Sequence, residues 1–183
     1  SNSLFNLEII ANTRGDVEEA ERLYKENLAI VEDSGYREQQ SKLISAKGMS
    51  MFNKLELEEA ERLWKESLAI DREIGNRKGE AAALNNLGEI SRNRGDLEEA
   101  EGLYKESLAI KREIGYQLGE ANSLYNLGEI SRSRGNLNEA ERLYKGSIKL
   151  KLKIGTPLDE WFIKNDFINP DVPWDLSALK EEE

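Results

Sequence analysis

The sequence predicts an all-α fold: a right-handed superhelical solenoid of antiparallel helix pairs, closed by a C-terminal capping helix. Three observations point there. Ala20, Ala60, Ala100 and Ala140 recur every 40 residues, and so do the aromatics Tyr24, Trp64, Tyr104 and Tyr144. Overlaying 81–120 on 121–160 gives about 24 identities in 40 positions with no gap, which marks a repeated unit. Within each unit, apolar residues at helical spacing flank a turn such as Gly95-Asp96 or Gly135-Asn136. Such a pair cannot bury its apolar faces alone, so neighbours must stack, and a constant packing angle makes the stack superhelical.

The period divides residues 1–156 into four repeats, 1–40, 41–80, 81–120 and 121–156. In the third, Leu84, Leu87, Gly88 and Ile90 place small and apolar residues on one side of helix A. Gly95 ends that helix, because glycine tolerates the left-handed conformation that closes a last turn. Asp96 is the N-cap of helix B, with Glu99 three residues on as in a capping box. Leu97, Ala100, Tyr104, Leu108 and Ile114 form the inner stripe of helix B. On its outer face, Glu61–Lys65 and Glu141–Lys145 are spaced for i,i+4 ion pairs, worth a few tenths of a kcal/mol each. Gly88 and Ala100 are small where two helices must approach closely.

The repeats are unequal. In the second, Leu55 replaces the turn glycine and Glu56 the capping Asp. A non-glycine residue held left-handed costs on the order of 1 kcal/mol, so a different turn shape is expected there. In the first, Glu8 stands where Gly48, Gly88 and Gly128 are small, and Leu4, Phe5, Leu7, Ile9 and Ile10 are more apolar than an outer cap requires. That implies a truncated array or a contact with another chain. After Thr156-Pro157, residues 157–168 carry Trp161, Phe162 and Phe167 as a capping helix. Residues 169–183 form an extended, frayed tail, since Pro170 and Pro173 disfavour helix.

Composition removes several functions. The chain has 36 acidic and 26 basic residues, a net charge of -10, which is the wrong sign for non-specific nucleic-acid binding. It has no cysteine and no histidine, which excludes disulfides, thiolate catalysis and imidazole chemistry. No apolar run approaches the roughly 20 residues of a membrane span, so the chain reads as soluble and cytoplasmic, with no membrane partner. Gly75-Asn76-Arg77-Lys78-Gly79 is no phosphate loop, lacking a preceding strand and a following Lys-Ser or Lys-Thr. Carboxylates such as Glu98-Glu99 compensate a helix dipole rather than catalyse. No enzyme and no cofactor or metal is expected.

The pattern resembles the tetratricopeptide repeat. Leu84, Leu87-Gly88, Gly95-Asp96, Ala100, Tyr104 and Ser107 match that family's offsets, as do Leu124, Leu127-Gly128, Gly135-Asn136, Ala140, Tyr144 and Ser147. The period and the Ile-Gly-x-x-x-Gly-Glu-Ala junction at 74–81 look like the long-repeat branch that includes kinesin light chain and spindle-orientation adaptor domains. The family Trp is absent from the two best repeats. The resemblance implies a protein–protein interaction scaffold whose helix A residues line a concave groove for a partner peptide or helix.

On the second repeat those positions are Lys42, Ser45, Ala46, Met49, Phe52 and Asn53; on the third, Ala82, Asn85, Asn86, Glu89, Arg92 and Asn93; on the fourth, Asn122, Tyr125, Asn126, Glu129, Arg132 and Ser133. Side-chain amides suit an extended peptide, since each both donates and accepts. Asn86 and Asn126 match the position that holds ligand backbone in the family, or they satisfy neighbouring helix ends. Arg92 and Arg132 pair with ligand acids, or with Glu89 and Glu129 three residues earlier. Ser45, Asn85 and Tyr125 lack the charge of a chaperone-type carboxylate clamp. The alternative is a structural segment of a longer array, its groove filled by its own tail or by self-association through the N-terminal repeat.

Overall fold

The computed structural model of the chain describes residues 10, 11, 14, 16–33 and 36–156, with the side chains of 17 and 28–33 left aside. The expected capping helix, the tail and Leu4–Ile9 lie outside the described residues. Among those described there are seven helices and no strand, an all-α repeat fold. They are α1 Val17–Asp33, α2 Arg37–Asn53, α3 Leu57–Glu73, α4 Arg77–Arg94, α5 Leu97–Glu113, α6 Gln117–Ser133 and α7 Leu137–Lys153. Two compact units, Ser1–Arg94 and Gly95–Glu183, divide them.

In the first unit α2 packs on α1 and α3, and α3 on α4. The largest fully buried side chain of this unit is Trp64 of α3, 1% exposed, and Ile44 of α2 and Leu84 and Ile90 of α4 are enclosed to the same degree. Removing an aromatic of that size from water contributes several kcal/mol at about 25 cal/mol per Å². It fits because Gly48 has no side chain: a Cβ there would lie 2.6 Å from Trp64 Nε1. The indole N–H donates to the Ser45 carbonyl at 3.1 Å.

In the second unit, α6 packs on both α5 and α7. Ala100, Tyr104 and Leu108 of α5 join Leu124, Leu127 and Ile130 of α6 and Leu143 of α7 in one core. Gly128 repeats the role of Gly48, with a Cβ there falling 2.5 Å from Tyr144 Cε1. One residue of the expected stripe does not belong to it. Ile114, 37% exposed, is the C-cap of α5, past the last helical turn, and Ile110 at 3% is buried instead.

Turns are built alike. After α3 the Asn76 N–H reaches the Asp71 carbonyl at 2.8 Å and Gly75 reaches Arg72, closing a Schellman motif with Gly75 at φ 69°. The turn at Leu55 keeps the same shape, against expectation. Leu55 sits at φ 64°, its N–H donating to the Phe52 carbonyl at 2.9 Å and that of Glu56 to Met51 at 3.0 Å. Those two bonds and the packing of α3 on α2 outweigh the local strain. Asp96 caps α5 by accepting the Glu99 N–H at 3.1 Å, whereas Glu56 and Asn136 make no such bond. The outer pairs Lys65–Glu61 and Lys145–Glu141 form as spaced, the second at 2.7 Å.

Candidate functional site

Each unit presents its own helix A faces. In the first, α2, α3 and α4 enclose a cleft of about 600 Å³. Lys42, Ser45, Ala46 and Met49 of α2 form one wall, and Lys78, Gly79 and Ala82 of α4 the other. The floor is the C-terminal end of α3, with Ser67 and Asp71 both 1% exposed. Met49 is 43% exposed, an apolar lip of the cleft.

Local geometry sets the floor. Asn76 caps α4 by accepting the Gly79 N–H at 3.2 Å, and its amide donates to Asp71 Oδ1 at 2.7 Å. Gly79 leaves the room, for a Cβ there would fall 2.4 Å from both Asn76 Nδ2 and Asp71 Oδ2. Ser41 and Ser67 share a hydroxyl–hydroxyl bond at 3.0 Å beside it.

The remaining candidates of this unit divide. Phe52 is half-buried with its ring tilted against Trp64, centroids 5.5 Å apart, and Asn53 is exposed at the end of α2. Neither lines the cleft. Asn85 and Asn86 are half-buried on α4, and Asn86 makes no hydrogen bond among the described residues. Arg92 donates to Glu89 at 2.7 Å, and Asn93 spends its amide on the Glu89 carbonyl at 2.8 Å, both within α4.

On α6 of the second unit, Asn122 is exposed and Tyr125 and Asn126 are half-buried. The Tyr125 ring lies 5.6 Å from that of Tyr144. Glu129 accepts from the Tyr144 hydroxyl and from Arg132, the latter at 2.9 Å. Burial, then the Glu129 carboxylate, pushes the Tyr144 phenol up, while the same carboxylate holds the Arg132 guanidinium protonated. Ser133 bonds back to the Glu129 carbonyl at 2.9 Å. Of the two roles open to the arginines, the intrahelical pair is the one formed.

Sequence reasoning missed Glu38, Ser41, Ser67, Asp71, Asn76, Lys78 and Gly79, the floor and much of the rim of the cleft. A signal was present: Asp71 stands where the following repeats have Lys111 and Lys151, a reversal of charge at a buried position.

Profiles described as tetratricopeptide repeat match residues 40–113 and 79–153, and a further one matches 3–38. The chain belongs to the tetratricopeptide repeat family. No curated protein matches it by sequence. Among solved structures, this tetratricopeptide array resembles BtubC (BKLC) from P. vanneervenii at TM-score 0.70 and 18% identity, covering 93% of this chain and 66% of that one. It resembles a Rap protein complexed with competence and sporulation factor at TM-score 0.73 and 20% identity, covering 87% and 44%. A putative kinesin light chain of Podosopora anserina with nearly identical TPR-like repeats gives 0.64 and 19%, covering 87% and 77%. The chain spans less than two thirds of the first two, and at such identities the likeness is one of fold. Among the described residues no helix is long and apolar enough to cross a membrane.

Proposed function

We propose that this array is a protein–protein interaction scaffold whose helix A faces take up an extended peptide or helix of a partner protein. The cleft between α2 and α4 carries the reading, because it joins open volume to polar groups on a rigid frame. Asn86, on α4, has a donor and an acceptor unspent among the described residues, as an extended backbone requires. Ser45, Asn85, Asn122, Tyr125 and Asn126 are the further contacts on this reading, and Met49 is its apolar anchor. Phe52 and Asn53 would serve at the margin, and Glu89, Arg92, Asn93, Glu129 and Arg132 would meet a ligand only by exchanging their present bonds. The Rap neighbour, complexed with competence and sporulation factor, supports a binding role by analogy of fold alone.

Peptide-array screening of the purified chain tests this, with Asn86→Ala and Asn126→Ala as controls. The expected result is a set of ligands weakened at least tenfold by one or both substitutions. Ligands indifferent to both, or none at all, would refute the groove reading in favour of a structural array segment. Light scattering tests self-association: a strict monomer across the accessible concentration range removes it.

A further inference from the structure

We propose that the cleft of the first unit is a subsite for a primary ammonium group of a bound peptide, with the Asp71 carboxylate as its counter-ion. Asp71 lies at the cleft floor and is 1% exposed. One of its oxygens accepts from the Asn76 amide, and no Lys or Arg among the described residues pairs with it. A buried carboxylate without a cation is costly, because neutral hydrogen bonds replace only part of its hydration. Its position adds to that cost. Asp71 is in the last turn of α3, Leu57–Glu73, where the carbonyl ends of the helix already carry partial negative charge. Two like charges are thus held together at the bottom of an open cleft, and a cation entering it relieves both.

The rim does not supply that cation. Lys42 is bound to Glu38 at 2.5 Å, and Lys78, which also lines the opening, forms no ion pair with Asp71 among the described residues. Nor do the other repeats share the arrangement. At the equivalent position Lys111 is buried and donates to Ser123 at 2.8 Å, and Lys151 is buried too. There the protein fills the site with its own ammonium; in the second repeat the charge is reversed and the site is left to a ligand. The walls suit what an ammonium brings with it. Met49, Ala46 and Ala82 can pack a methylene stem, and the volume of about 600 Å³ exceeds a single side chain. The ammonium would come from a lysine side chain or from a peptide N-terminus.

The inference rests on the groove reading only in taking peptide as the natural source. The test is a 15N–1H correlation titration of the full chain with three probes: Nα-acetyl-lysine N-methylamide, which has only the ε-ammonium; alanyl-alanine amide, which has only the α-ammonium; and neutral Nα,Nε-diacetyl-lysine N-methylamide. The expected result is shifts centred on Ser67–Asp71 and Asn76–Ala82, at least tenfold tighter for an ammonium probe than for the neutral one. The tighter of the two ammonium probes identifies the source. Asp71→Asn, which keeps shape and an acceptor for Asn76, is expected to weaken that probe at least tenfold and to raise the melting temperature of the unliganded protein. Asp71→Lys, copying the residue at 111, is expected to fold and to abolish binding.

Equal binding of charged and neutral probes, no shift with either ammonium, undiminished affinity in Asp71→Asn, or a lowered melting temperature there would each overturn the proposal. The two readings fail separately. Peptides that need Asn86 yet bind Asp71→Asn unchanged remove the ammonium site alone; ammonium binding without any Asn86-dependent peptide removes the groove alone.

Discussion

Gly128 and the Tyr144 ring occupy the space of one side chain: a Cβ on Gly128 would fall 2.5 Å from Cε1 and 2.8 Å from Cδ1. The ring cannot retreat freely, since Tyr144 is 3% exposed and its hydroxyl is held by Glu129. Gly128→Ala therefore forces α6 and α7 apart. It is expected to destabilise the chain by roughly 1–3 kcal/mol, as overpacking does, measured by urea unfolding. Pairing it with Tyr144→Leu should recover part of the loss. A single mutant as stable as wild type would contradict the close approach.

Leu55 is 80% exposed and held at φ 64°. Replacing it with Gly loses no buried surface and removes a left-handed penalty on the order of 1 kcal/mol, offset in part by the entropy of a freer unfolded chain. A gain of a few tenths of a kcal/mol or more is expected in denaturant midpoint, with an unchanged slope. A loss would show that the leucine side chain contributes something its exposure hides.

Burial holds the Lys111 ammonium down at about 8, against 10.5 for the free group. A lysine whose folded pKa is depressed costs stability wherever both states are protonated, which is below about pH 8. The cost fades between pH 8 and 10.5 as the folded state loses its proton first. Lys111→Met with Ser123→Ala, which avoids stranding the hydroxyl, is expected to stabilise the chain at pH 7 by roughly 2 kcal/mol. That advantage should shrink as pH rises through the window. An advantage constant with pH would mean that packing, not charge, explains it.

Ser67 and Ser147 occupy the same place in the second and fourth repeats and differ in their bonds. Ser67 Oγ lies 3.0 Å from Ser41 Oγ, whereas Ser147 Oγ is buried with no hydrogen-bond partner. Ser67→Ala should cost about 1 kcal/mol, by leaving the Ser41 hydroxyl only the longer bond to the Ser67 carbonyl at 3.4 Å, and Ser147→Ala should be neutral or stabilising. Thermal melts of the two variants side by side check it; equal losses would refute the distinction.

The stacking residues were legible because the repeat writes them several times. Leu84, Leu87 and Ile90 are buried on α4, and Gly95 turns left-handed at φ 82° before the Asp96 cap. Leu55 was misjudged because local cost was weighed without the tertiary packing that imposes the turn. Ile114 was misjudged because helical spacing was carried one residue past the helix end.

Period, helix pairing, turn chemistry and the exclusion of thiol and imidazole chemistry were determined by the sequence alone, because each depends on residues a few positions apart or on composition. Three other features were decided only by tertiary structure. Glu129 serves Tyr144 as well as Arg132, Leu55 accepts a strained φ, and Asp71 lies uncompensated under a cleft walled by two other helices. Each is set by groups brought together from different helices, and no spacing along the chain encodes how deeply a charge is enclosed or which partner it is denied.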